Sequence, residues 1–71
     1  MGLEDLTKAL EEGKFKDAYL IAEQLKKDGV PTTAINFYIY PIFKVYLRRD
    51  RAKAEEIAKE FINYKFECWL G

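Results

Sequence analysis

Laid on itself at an offset of 36 residues, the chain matches weakly but at positions that matter for packing. Leu3 meets Ile39, Leu6 meets Ile42, Ala9 meets Val45 and Leu10 meets Tyr46. The register continues through Ala18 with Ala54, Ile21 with Ile57, Ala22 with Ala58 and Leu25 with Phe61. An offset of this size is the length of one helix-turn-helix unit. Stacked units of that kind usually bind other molecules rather than transform them. The constraint is architectural: two similar hairpins must share one small core.

The hydrophobic spacing locates four helices. Residues 3–12 carry Leu3, Leu6 and Leu10 on one face and a Glu4–Lys8 pair on the other, with Gly13 placed to close the helix at positive φ. From Phe15 to Lys27, the residues Phe15, Ala18, Ala22 and Leu25 recur at steps of three and four, widened by Ile21. Asp17 suits the first turn of that helix, Lys26 and Lys27 suit the last, and Gly29 and Pro31 stop it. Thr32 or Thr33 is a candidate cap for a third helix over residues 33–48. Its apolar residues cover every side, which marks a helix buried on more than one face.

Pro41 falls near the middle of that helix, where it removes a hydrogen bond and costs roughly 3 kcal/mol unless the helix bends. A kinked helix is one expectation. An extended segment over residues 36–40, followed by a short helix that begins at Pro41, is the alternative. Asp50 is a good N-cap for a fourth helix over residues 51–65, with Ala54, Ile57, Ala58, Phe61 and Ile62 as its stripe and Glu55–Lys59 on its outer side. The tail 66–71 is apolar and contains Trp69, so it is expected to pack on the body or on another subunit.

The segment from Gly13 to Ala18, with Gly29-Val30-Pro31 eleven residues on, resembles the second helix of tetratricopeptide or pentatricopeptide repeats. In both families a Gly precedes by five residues a small Ala that lets two helices approach closely. The second copy keeps Ala54 and has Arg49 in place of the turn Gly. The resemblance implies stacked antiparallel hairpins and a role in binding.

Composition narrows the function. The chain is 49% hydrophobic and 15% aromatic, although a domain of this size buries only about 60% of its unfolded surface. Self-association is one outlet for the surplus. Net charge is zero, so no global field draws the chain to nucleic acid or to an anionic membrane. Charge is uneven all the same. Residues 1–30 sum to −2, residues 31–54 to +4 and residues 55–71 to −2. The longest apolar stretch, 34–47, is too short and too interrupted to span a bilayer. One cysteine, Cys68, cannot form an internal disulfide, and the acidic N-terminus is unlike a signal peptide; both point to a cytoplasmic chain. Charged residues that are mostly Lys and Glu, with a single Gln and a single Met, give a thermophile-like composition.

Catalysis by a His base or a Ser nucleophile is excluded, because the chain has neither residue. Cys68 lies between Glu67 and Trp69, neighbours that raise rather than lower a thiol pKa, so it reads as a packing residue. Glu55, Glu56 and Glu60 could hold a hard cation with the help of waters. Lys53 and Lys59 lie close by, however, and no further ligands appear, so the cluster reads as a solvated face. No cofactor and no metal are expected, and the chain reads as a non-enzyme.

Lys44, Arg48, Arg49, Arg51 and Lys53 interleave with Tyr38, Tyr40, Phe43 and Tyr46, which is what binding of single-stranded RNA or DNA needs. The same cations also complement the C-terminal dipole of the third helix, and the aromatics are natural core residues.

The sequence therefore points to one all-α domain over residues 1–71. It has four helices in two antiparallel hairpins, 3–28 and 33–65, as a minimal tetratricopeptide-like stack or small helical bundle. The expected role is protein–protein interaction, including a homodimer. Tyr38, Tyr46, Phe66, Trp69 and Leu70 would form the contact surface, and Arg48, Arg49 and Arg51 a polar rim that selects an acidic partner.

Overall fold

The computed structural model of the chain describes residues 2–64. The tail 66–71, with Cys68, lies outside the described residues. Four helices follow one another: α1 (Leu3–Glu11), α2 (Phe15–Lys27), α3 (Thr32–Arg49) and α4 (Arg51–Glu60). A single 3-10 turn, Ile62–Tyr64, comes after them. Among the described residues there is no strand. The fold is all-α, a small four-helix bundle.

Glycine makes the first two turns. Gly13 at φ 79° and Gly29 at φ 98° both take the left-handed conformation that a Cβ disfavours. After α1, the Gly13 amide donates to the Leu10 carbonyl and the Lys14 amide to the Ala9 carbonyl, at 3.1 and 2.9 Å. After α2, the Gly29 amide donates to Lys26 and the Val30 amide to Leu25, at 3.1 and 2.9 Å. Each pair satisfies two carbonyls that the helix end leaves without donors.

The junction between α3 and α4 is built differently. Arg49, the counterpart of Gly13 at the 36-residue offset, stays helical, and Asp50 alone separates the helices at φ −150°. Its amide donates to the Tyr46 carbonyl at 2.7 Å. Its carboxylate accepts from the Lys53 amide at 3.4 Å, so the expected N-cap is present.

The start of α3 corrects the sequence reading. Neither Thr32 nor Thr33 caps it. Pro31 holds the cap position with extended backbone and no side-chain bond, and its carbonyl accepts from Ala34 and Ile35. The helix is continuous from Thr32 to Arg49, so the extended alternative for residues 36–40 is not what forms. Pro41 lies on its exposed side. The Phe37 carbonyl, which loses the donor that Pro41 lacks, therefore lies at the solvent-facing side of the helix.

α3 is the central element and packs against α1, α4 and α2. Its inward line, Ile35, Ile39 and Phe43, is fully buried. Leu6, Leu10, Ala18, Ala22, Ala54, Ile57 and Phe61 complete the interior at zero exposure, with Tyr64 close to zero. α4 ends at Glu60 rather than 65, and the chain then tightens into the 3-10 turn. That rotation takes Ile62 off the expected stripe and leaves it 65% exposed.

Space is open at both turn glycines. A Cβ at Gly13 would meet only the Lys53 Nζ at 4.0 Å, and one at Gly29 would meet nothing within 4 Å. Gly13→Ala and Gly29→Ala should therefore each lower the unfolding free energy by about 1–2 kcal/mol through backbone strain alone. Asn at either site should cost less, because it tolerates left-handed backbone. Urea titrations of the four variants check this.

Candidate interaction face on helix α3

A helix advances 100° per residue, so burying Ile35, Ile39 and Phe43 fixes what points away from the core. The outward side carries Phe37, 79% exposed, together with Tyr38, Tyr40, Pro41 and Val45. Lys44 and Arg48 continue the same side toward the C-terminal end, with Arg49 beside them, all exposed. The Lys44 ammonium lies 5.6 Å from the centre of the Tyr40 ring, within cation–π range. Among the described residues, the ion pairs are Lys14–Glu12 and Lys26–Glu23. Arg48, Arg49 and Arg51 take no part in them.

The sequence-expected residues divide. Tyr38 and the three arginines are exposed as anticipated. Tyr46 is turned inward. Its hydroxyl donates to the Leu10 carbonyl at 2.8 Å and to the Glu11 carbonyl at 3.3 Å, and its ring meets Phe15 edge-on at 5.7 Å. Tyr46 thus closes the C-terminus of α1 and ties the second hairpin to the first. Phe66, Trp69 and Leu70 lie outside the described residues. Phe37 and Val45 were missed as surface residues; placing them needed the phase of α3, which the 35–39–43 spacing contains.

A groove of about 320 Å³ runs beside this face, lined by Glu11, Ile42, Val45, Tyr46, Arg49, Asp50 and Lys53. Its lining combines apolar Ile42 and Val45 and the Tyr46 ring with two cations and two acids. A wider depression of about 460 Å³ lies between α2 and α4, where Lys14, Lys16 and Lys59 mix with Asp17, Glu56 and Glu60. Among the described residues, no three of His, Cys, Asp and Glu come together as metal ligands. Among the same residues, no helix is long and apolar enough to cross a membrane.

A second polar cluster fastens the chain beyond α4. The Tyr64 hydroxyl donates to the Glu23 carboxylate at 2.7 Å, and Lys26 lies 3.4 Å from the same oxygen and 5.2 Å from the Tyr64 ring centre. Tyr19 and Phe61 meet the Tyr64 ring edge-on at 6.4 and 5.4 Å. Asn36 donates through Nδ2 to the Tyr64 carbonyl at 3.2 Å. The Tyr64 hydroxyl bond is the main reason the Glu23 carboxyl is held below its ordinary value of 4.5, with Lys26 helping. Burial first, and Glu23 second, push the Tyr64 hydroxyl above its ordinary 10.0. Asn36 Oδ1 is buried beside this cluster without a hydrogen-bond partner among the described residues.

The linkage has a definite sign. A carboxyl lowered by folding adds stability above its unfolded pKa and loses it as pH falls through the folded value. Natural chain and Glu23→Gln should therefore differ most at pH 6 and converge as pH drops below about 4. The difference should be about 1 kcal/mol at most, because the carboxylate keeps much of its contact with water. Thermal melts of both proteins across that range test it.

No family model, no curated protein and no solved structure matches the chain.

Proposed function

We propose that this chain is a non-catalytic protein-interaction and assembly module that self-associates through the outward face of α3. The observation that carries the reading is the exposure of Phe37, 79%, at the centre of a face that also holds Tyr38, Tyr40, Pro41 and Val45. A small domain gains nothing from leaving such a cluster in water, and contiguous apolar patches of this kind mark contact sites. Arg48, Arg49 and Arg51 form a polar rim that favours an acidic partner and speeds its encounter. A single cysteine suits a reducing, cytoplasmic setting.

A second reading rests on one contact, the Lys44 ammonium over the Tyr40 ring. A cation beside a stacking surface suits single-stranded RNA or DNA. The zero net charge weighs against it, since phosphate affinity grows with the charge neutralised. Oligonucleotide binding that falls steeply between low and moderate salt, and that disappears in the Arg48→Glu, Arg49→Glu double variant, would favour this second role.

The first reading is tested by mass in solution, from size exclusion with light scattering at two salt concentrations. The natural chain should form a dimer that persists at high salt. Phe37 lies outside the buried core, and Phe37→Ala should weaken that dimer by about 100-fold or more, because each interface loses two rings worth about 1.5–3 kcal/mol apiece. Tyr46→Phe should leave the dimer intact and cost about 1 kcal/mol of stability, through the lost bond to Leu10. A natural chain that is monomeric at every concentration overturns the reading.

A further inference from the structure

We infer that residues 66–71 of the same chain lie along the groove between α3 and α4, and that the Asn36 side chain holds the start of that segment in place. The groove is on a different side of α3 from the face proposed for self-association. The inference therefore stands apart from that reading and goes beyond it.

Asn36, Phe43 and Leu47 recur at steps of seven and four along α3, on a line about a third of a turn away from Phe37 and Pro41. Phe43 and Leu47, with Ala54 and Ala58 of α4, line a cavity of about 90 Å³ between the two helices. Neither helix of the first hairpin contributes to its lining. The groove that Glu11 of α1 shares with Ile42 and Val45 is on the opposite flank of α3. α2 meets α4 on the side of Glu56 and Glu60, whereas Glu55 is on the side of the cavity.

Tyr64 delivers the chain to one end of this line. Its hydroxyl is bonded to Glu23 at 2.7 Å and its carbonyl accepts from Asn36 Nδ2 at 3.2 Å, so the point of departure is fixed. The neighbouring Asn36 Oδ1 is buried and has no partner among the described residues. A buried acceptor left without a donor is costly, and a carboxamide presents its donor and acceptor side by side. In extended backbone the amide two residues on points to the same side as a given carbonyl. The Phe66 amide is thus the donor that completes the Asn36 pair, and a segment continuous with Tyr64 brings it there. Length agrees. The line from Asn36 to Leu47 is about 16 Å long, and six extended residues reach about 20 Å. Composition agrees too, since Phe66, Cys68, Trp69 and Leu70 supply apolar surface to an apolar groove.

Trp69 is the single tryptophan, so its fluorescence reports on the segment alone. In the full chain, diluted until light scattering gives a monomer, its emission should be blue-shifted. Iodide should quench it several-fold less than in the urea-unfolded chain. Asn36→Ala should at least double the quenching while helix content stays the same. Position is read through Cys68, the one natural thiol. On oxidation with copper phenanthroline, Glu55→Cys should form an intrachain disulfide with Cys68 several-fold faster than Glu56→Cys. Both replaced residues are exposed, so neither change disturbs the core. A helical monomer whose Trp69 is quenched as in the unfolded chain overturns the inference. Equal disulfide yields from the two variants overturn it as well, as does a covalent dimer in place of the intrachain bond, which puts the segment on a second copy. Unchanged quenching in Asn36→Ala overturns the role given to Asn36.

Discussion

The core is organised by one line of side chains: Ile35, Ile39 and Phe43 on α3. α1 and α2 pack extensively on each other, and α3 closes that pair against α4. α1 and α4 both pack on α3, and α2 reaches both α3 and α4. Because a helix has one circumference, the inward line also decides the outward one. Burying Ile35, Ile39 and Phe43 commits Phe37 and Pro41 to the opposite side. The exposed rings are thus a geometric result of how the core was filled, and the apolar excess of the sequence ends up where a neighbour can use it.

The polar links refine this arrangement. The Tyr46 hydroxyl reaches the Leu10 and Glu11 carbonyls at the end of α1, sharing Leu10 with the Gly13 amide, and it does so from the opposite hairpin. Tyr64 and Glu23 do the corresponding job between the segment after α4 and α2. Each bond joins residues far apart in sequence, so each helps fix the angle between hairpins that apolar packing alone would leave loose.

Where local chemistry decides, the sequence was legible. Gly13 announced a left-handed turn, Gly29 and Pro31 announced the end of α2, α2 announced itself by spacing, and Asp50 announced a cap. Legibility failed where a choice depended on the tertiary arrangement. Nothing local distinguishes a threonine that caps from one in the first turn of a helix. Tyr46 looked like a surface aromatic because its role depends on carbonyls 35 and 36 residues away. α3 was apolar on every side, so its phase could be read only by giving the 35–39–43 line priority over the rings between. The 36-residue match was a partial guide. It aligns the first residues of α2 and α4, but Ala9 is buried and its counterpart Val45 is half exposed. The two hairpins share a pattern without sharing the surface they bury.

The single residue between α3 and α4 makes the two hairpins unequal in their tolerance of length change. The glycine turns contain several residues whose backbone can rearrange, so a residue added there can be absorbed before the next helix begins. Asp50 leaves no such slack, because it ends one helix and starts the other. A residue gained or lost at that point would turn α4 by about 100° about its own axis. Ala54, Ile57 and Phe61 would then leave the core together. The junction works as a gear with fixed teeth, and drift in chain length over evolution should accumulate at the two glycine turns and spare residue 50.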